Sequence, residues 1–330
     1  MKALVTGGCG FIGSHLVDRL LSEGFKVTVV DNCSTGRMEN LEHHKENSKL
    51  NIVHLDISLD KEKLNTLTID VDYIYHLAAL ADIVPSVQQP EIYYNSNVTG
   101  TLNVLEAAKN SKDLKKLVYA ASSSCFGIPE DYPTPETAEI KPQYPYALTK
   151  RLGEELVLHW NDLYKIPSIS LRFFNVYGPR SRTSGTYGAV FGTFLAQKLA
   201  DQPFTVVGDG KQTRDFTYVT DIVDAVYAAS RSDLNGEVMN VGSGNHYSIN
   251  RLVELLGGKV TYIPKRPGEP DCTFADITKI KNKLNWSPSV SFEDGVSEML
   301  KNINYWKDAP VWTPEKIAVE TKPWFDALEK

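Results

Sequence analysis

A strand-like run, Ala3-Leu4-Val5-Thr6, leads directly into Gly7-Gly8-Cys9-Gly10-Phe11-Ile12-Gly13, and a helical pattern through Leu16, Val17, Leu20 and Leu21 follows. Glycines at 7, 10 and 13 give the spacing G-x-x-G-x-x-G between a strand and a helix. Backbone without Cβ atoms can approach a pyrophosphate closely there, and the free N–H groups of the helix's first turn bind it. The next strand, starting at Lys26, ends in Asp31, eighteen residues after Gly13. A carboxylate in that place accepts from the adenosine ribose hydroxyls and repels a 2′-phosphate, which favours NAD over NADP.

Strand-like runs recur at 51–55, 73–76 and 117–120, alternating with helical stretches near 60–67 and 91–109. That alternation predicts an α/β fold, a Rossmann-type doubly wound parallel sheet. At 330 residues the chain has room for this unit and a smaller companion. Residues 1–170 are expected to form the NAD-binding domain and 171–330 a smaller mixed α/β domain for the substrate. No linker separates the halves, so they are expected to interleave. A net charge of −6 with no basic run argues against a nucleic-acid surface. The four cysteines (Cys9, Cys33, Cys125, Cys272) lie far apart without metal-like spacing, so neither disulfides nor a metal is expected. No apolar stretch is long enough to cross a bilayer. Met1-Lys2 runs straight into a strand without a signal-peptide pattern, and a cytoplasmic location is expected.

The second informative stretch is Tyr146-Ala147-Leu148-Thr149-Lys150, read together with Ser122-Ser123-Ser124 upstream. A tyrosine and a lysine four apart on a helix share one face. A free phenol has a pKa near ~10, and a neighbouring ammonium is expected to lower it. Pro145 suits the first position of that helix, where its missing N–H has no partner to lose. Asp56 follows a strand and could meet adenine or cap the next helix. His76, in His76-Leu77-Ala78-Ala79 at a strand end, is expected to be satisfied by backbone. Asn97, a polar residue in an apolar helical pattern, is expected to be structural and close to the site.

Taken together, the glycine segment 6–13, His76-Leu77-Ala78-Ala79, Ala120-Ala121-Ser122-Ser123-Ser124 and Tyr146-x-x-x-Lys150 resemble the extended short-chain dehydrogenase/reductase superfamily, in particular its NAD-dependent nucleotide-sugar 4-epimerases. The resemblance covers roughly residues 1–303 and continues through Leu171-Arg172-Phe173-Phe174-Asn175-Val176-Tyr177-Gly178-Pro179-Arg180, Arg214-Asp215-Phe216 and Arg266-Pro267-Gly268-Glu269. It implies that NAD meets Gly7, Gly10, Phe11, Ile12, Gly13, Asp31, Asn32, Asp56, Ile57, Leu77, Ala78, Ala79 and Phe173. It also implies that a UDP-sugar meets Ser122, Ser124, Asn175, Arg214, Arg266, Glu269 and Thr273, with the two arginines on the diphosphate and Glu269 on a ribose. Ser122, Tyr146 and Lys150 would be catalytic. Tyr146 would take the C4 hydroxyl proton, Lys150 would hold the phenolate charge and the nicotinamide ribose, and Ser122 would bond the sugar oxygen. Thr273 corresponds to the residue that closes the pocket beside the C2 substituent, and its small size would admit an N-acetyl group. The family's two-fold interface, a four-helix bundle, would use the helices near 91–109 and 146–163, with stripes Ile92, Leu102, Leu105 and Leu152, Leu156, Leu163.

Sugar 4,6-dehydratases carry Asp-Glu after the catalytic threonine, and the decarboxylating relatives use a glutamate at the second position. Here these positions are Ser123 and Ser124. A hydroxyl of ordinary pKa does not replace a carboxylate in acid–base work near neutrality. The leading expectation is therefore a 4-epimerase acting on a UDP-hexose or UDP-N-acetylhexosamine. The competing ones are a nucleotide-sugar 4-dehydrogenase or keto-reductase and a UDP-uronic acid 4-epimerase. A non-catalytic dinucleotide sensor of the same fold tends to lose the Tyr/Lys pair, which this chain keeps. The aromatic tail 304–330 lies beyond the resemblance and is expected to pack on its own subunit.

Overall fold

The computed structural model describes residues 1–181 and 189–328. Six strands open the fold: β1 (Lys2–Thr6), β2 (Lys26–Asp31), β3 (Leu50–His54), β4 (Tyr73–His76), β5 (Lys116–Ser122) and β6 (Ser168–Phe173). They form one parallel sheet in the order β6-β5-β4-β1-β2-β3, and Glu237–Val241 adds a seventh strand beside β6. Strand order reverses between β1 and β4, so a crevice opens at the C-terminal ends of those two strands.

Both faces of the sheet are covered, as its near-continuous apolar strands require. Ala3 and Val5 of β1 enter one layer with Leu16, Val17 and Leu20 of the helix Phe11–Ser22. Leu4, between them, enters the opposite layer with Val104, Leu105 and Val157. The predicted helix at 91–109 forms with one irregularity: α-helical Pro90–Tyr94 passes through a π-helical turn, Asn95–Thr99, into Gly100–Ala108.

The second half builds around Tyr177, Phe191, Phe216 and Phe292, all buried in a third core. Short strand pairs frame it: Asn175–Tyr177 runs parallel to Phe216–Tyr218, and Phe204–Val207 runs parallel to Val260–Ile263. β6 spans residue 170, and Glu237–Val241 joins the sheet from the second half, so both halves of the chain share it. Among the described residues no helix is long and apolar enough to cross a membrane, and all four cysteines are free thiols.

Candidate active site

The glycine segment turns sharply between β1 and its helix. Gly7 sits at φ +73°, and a Cβ there would stand 2.7 Å from the Ala78 nitrogen. A Cβ on Gly13 would come within 2.1 Å of the Gly7 carbonyl oxygen. Only glycine fits either place, and the backbone stays bare toward the crevice. Asp31 ends β2 beneath this loop; one carboxylate oxygen accepts from Cys9 N at 2.9 Å and the other from Cys33 N at 2.8 Å. Burial raises its pKa, and those two N–H groups oppose the shift. Each oxygen keeps lone pairs for ribose hydroxyls. Asp56 does not cap the following helix, Lys61–Thr68, because Asp60 holds that position. Its carboxylate instead accepts from Ser58 N at 2.8 Å, Ser58 Oγ at 2.6 Å and Asn32 Nδ2 at 2.8 Å.

A single cavity of about 680 Å³ runs from this loop to the second half of the chain. Every residue singled out in the sequence for cofactor or substrate lies on its wall. The glycine cradle, the Asp31 carboxylate and the length of the cavity fit a dinucleotide with a second ligand beyond it.

Tyr146 and Lys150 lie on the helix Pro145–Tyr164, which Pro145 opens as expected. Lys150 is buried, with its Nζ 4.3 Å from the centre of the Tyr119 ring. Burial pulls its pKa down to about 7, and Glu154 one turn later opposes the shift. The helix rests tightly on β5, since a Cβ on Gly153 would stand 2.2 Å from the Tyr119 hydroxyl. Ser122 closes β5, and its Oγ lies 2.8 Å from Ser124 Oγ. The Ser122 hydroxyl also reaches the Tyr146 phenol.

Tyr146 departs from expectation. Its pKa is raised, not lowered, because burial outweighs the hydrogen bond from Ser122. Lys150, pulled down toward neutrality, is only partly charged near pH 7 and gives the phenolate little help. In the protein alone the phenol therefore keeps its proton.

His76 is also satisfied differently from expectation, by hydroxyls and not by backbone. Its Nδ1 lies 2.7 Å from Thr6 Oγ1 and its Nε2 2.8 Å from Thr101 Oγ1. Thr101 Oγ1 donates to the Asn97 carbonyl at 2.6 Å, so it accepts from Nε2–H, and Thr6 donates to Nδ1. The ring is neutral, and burial pulls its pKa down to about 3. Asn97, in the π-helical turn, bonds Leu80 N at 2.8 Å, Leu80 O at 3.0 Å and Thr149 Oγ1 at 3.0 Å. It ties the loop after β4 to the helix that carries Tyr146 and Lys150.

At the far end, Arg266 Nη1 lies 3.3 Å and Arg214 Nη2 3.9 Å from the Glu269 carboxylate. Two guanidiniums share one carboxylate, a donor-rich surface suited to phosphate oxygens. Thr273 Oγ1 accepts from Asp215 N at 3.0 Å and donates to Asn175 Oδ1 at 2.7 Å. Asn175 itself lines the cavity.

Three residues that the sequence does not single out as site candidates also help to frame the site. Glu154, buried on the helix that carries Tyr146 and Lys150, receives Arg172 Nη2 at 2.7 Å and Ser170 Oγ at 2.8 Å. It joins that helix to β6, and its place four residues after Lys150 was the available signal. Tyr144 stacks nearly parallel to Tyr146, with centroids 6.4 Å apart. Trp324, from the tail, packs on Tyr144 at 5.6 Å. Elsewhere, Asp18, His43 and His44 bring three possible ligand atoms within 4.8 Å. Arg180 sits 2.7 Å from Asp18 Oδ2 and supplies there the positive charge that a cation would bring.

The family model described as GDP-mannose 4,6 dehydratase matches residues 4–299. The chain belongs to that family. Within it, a putative UDP-glucose 4-epimerase of Methanocaldococcus jannaschii is 37% identical over 314 residues, which is 91% of this chain and 99% of the relative. A UDP-N-acetyl-alpha-D-glucosaminuronate decarboxylase of Bacillus cytotoxicus is 34% identical, over 91% of this chain and 97% of its own. The crystal structure of UDP-glucuronic acid 4-epimerase from Bacillus cereus, in complex with UDP-glucuronic acid and NAD, is 35% identical with a TM-score of 0.85, over 92% of this chain and 99% of that one. Members of the family thus run different reactions on one scaffold, and the residues inside the cavity must distinguish them.

Proposed function

We propose that this protein is an NAD-dependent nucleotide-sugar 4-epimerase that inverts C4 of a UDP-hexose or UDP-N-acetylhexosamine through a transient 4-keto sugar. The observation that carries the choice among family reactions is at the end of β5. Ser123 and Ser124 occupy the positions where dehydratases and decarboxylases place carboxylates, and Ser124 Oγ is bonded to Ser122. No acid at those positions is available to eliminate water or assist loss of a carboxyl group.

The cofactor fits the glycine cradle and Asp31. When bound, NAD would supply a hydride acceptor that returns the hydride later. Tyr146, with the Ser122 hydroxyl beside it, would take the C4 hydroxyl proton as a phenolate. Lys150, packed over the Tyr119 ring, regains its full positive charge when a phenolate forms one turn away and then steadies it, and Ser122 orients the sugar oxygen. Arg214 and Arg266 grip the diphosphate while Asn175 donates to the nucleotide-sugar. The reaction is redox-neutral, so the sugar needs only to turn over between removal and return of hydride.

Thr273 and the likeness to the Bacillus cereus enzyme favour one second reading, a UDP-uronic acid 4-epimerase. A 4-dehydrogenase or keto-reductase would use the same catalytic trio but change NADH stoichiometrically. Turnover of UDP-, GDP-, CDP- and dTDP-sugars, with product stereochemistry read by NMR, tests the proposal. C4-inverted product with substoichiometric NADH is expected; one-way keto product or loss of CO₂ overturns it.

A further inference from the structure

The family match ends at residue 299, and the chain then continues across the cleft. Tyr305 Oη donates to Asn40 Oδ1 at 2.8 Å, and Asn40 Nδ2 donates to the Cys9 carbonyl at 2.9 Å, so the tail first meets the glycine loop. Gln197 Nε2 then holds the Trp312 carbonyl at 2.7 Å. The helix Pro314–Leu328 finally packs against Ile83–Gln88 on the other side. Its Trp324 is fully buried, which is costly for an indole N–H unless it finds an acceptor. It finds one in the Pro267 carbonyl, at 2.7 Å.

Pro267 directly follows Arg266 and lies two residues before Glu269, the carboxylate that both phosphate-side arginines approach. The ring of the same indole packs against Tyr144, the N-cap residue of the helix that carries Tyr146, and the Tyr144 ring in turn stacks on Tyr146. One side chain thus spans the two parts that must keep a fixed distance, the loop that grips the diphosphate and the helix that carries the base. Gly268, at φ +74°, leaves room for the end of the same tail helix, with Leu328 3.3 Å from where its Cβ would stand.

We propose that Trp324 is a positioning residue of the nucleotide-sugar site, holding the 266–269 loop in register with Tyr146. The proposal rests on the nucleotide-sugar reading above. A diphosphate held by a misplaced loop would bind more weakly, and a sugar held at the wrong distance from Tyr146 would react more slowly.

The test uses the full chain with Trp324→Phe, which keeps an aromatic ring against Tyr144 but removes the N–H to Pro267, and Trp324→Ala, which removes both. Val319→Ala, at an exposed position of the same helix, is the control. UDP, dTDP, GDP and NAD are titrated by calorimetry, alongside steady-state kinetics and thermal melting. Expected for Trp324→Phe is a roughly three- to tenfold weaker Kd for the nucleoside diphosphate and a matching rise in KM, with kcat and NAD affinity near wild type. For Trp324→Ala, kcat should fall as well. Wild-type diphosphate affinity in Trp324→Phe overturns the role. So does a parallel loss of NAD affinity and melting temperature, which would mark general loosening. Failure of the wild-type protein to bind any of the three diphosphates would instead sink the nucleotide-sugar reading, and this inference with it.

Discussion

The Thr273 hydroxyl donates to Asn175 Oδ1 at 2.7 Å while accepting the backbone N–H of Asp215. This bond gives a residue expected to matter only for its size a second task, that of orienting the Asn175 amide. The two tasks separate by substitution. Thr273→Val keeps the size and removes the donor, so KM should rise several-fold on every accepted sugar, as the loss of one hydrogen bond of about 0.5–1.5 kcal/mol implies. Thr273→Tyr also fills the space beside C2 and should weaken N-acetylated sugars by a further ~1–3 kcal/mol. Side-by-side kinetics on UDP-Glc and UDP-GlcNAc check this. An equal loss on both sugars in the tyrosine variant would show that Thr273 is not the gate.

Tyr146→Phe should keep the fold and NAD binding yet lose about 10²–10⁴-fold in turnover, the usual scale of general acid–base catalysis. Tyr146 reaches Ser122, so Ser122→Ala should also slow turnover, by less. Near-normal activity in Tyr146→Phe would remove it as the base.

Asp31 faces the cavity beneath the glycine loop. NAD should therefore bind far more tightly than NADP, and Asp31→Asn should narrow the gap by removing charge that repels a 2′-phosphate. Calorimetry with both dinucleotides decides, and equal wild-type affinities would contradict the assignment.

His76 supplies a pH prediction. In the fold its pKa is held near 3, against the ordinary 6.5 of an unfolded histidine. Between those values the unfolded chain binds the extra proton, so stability is full above about pH 6.5 and falls as pH drops toward 3. One proton corresponds to roughly a tenfold change in the unfolding equilibrium per pH unit. His76→Gln should flatten that dependence by about one proton in denaturant titrations across the window. An unchanged slope would mean that the ring is protonated in the native state.

Assembly gives the last prediction. Ile92, Tyr94, Leu148 and Leu163 are exposed on the two helical segments that would form the bundle, whereas Leu105 is wholly buried against the sheet. We expect a homodimer through this face, with Leu148→Glu shifting it to monomer in light scattering at micromolar concentration. A wild-type monomer under those conditions rules it out.

Features set by neighbours in sequence could be read without a structure. The glycine turn, Asp31 at a strand end and Pro145 at a helix start each follow from a few adjacent residues. What escaped depended on distant partners. Thr6 and Thr101 reach His76 from 70 and 25 residues away, so the choice of hydroxyl over carbonyl left no local trace. The proton affinity of Tyr146 is decided by burial, which the Tyr-x-x-x-Lys spacing does not encode. Trp324 looked like one more tail aromatic because Tyr144 and Pro267 come near it only in the folded chain.

The strand Glu237–Val241 pairs with β6 along five residues. A fragment ending near residue 170 would leave much of β6 behind, and one ending just after it would present a bare, apolar hydrogen-bonding edge, a template for aggregation. Chimaeras that exchange substrate specificity between relatives therefore cannot be spliced as two beads. The graft must return Glu237–Val241 to its host sheet, and a nascent chain on the ribosome must wait for that segment before its first sheet is closed.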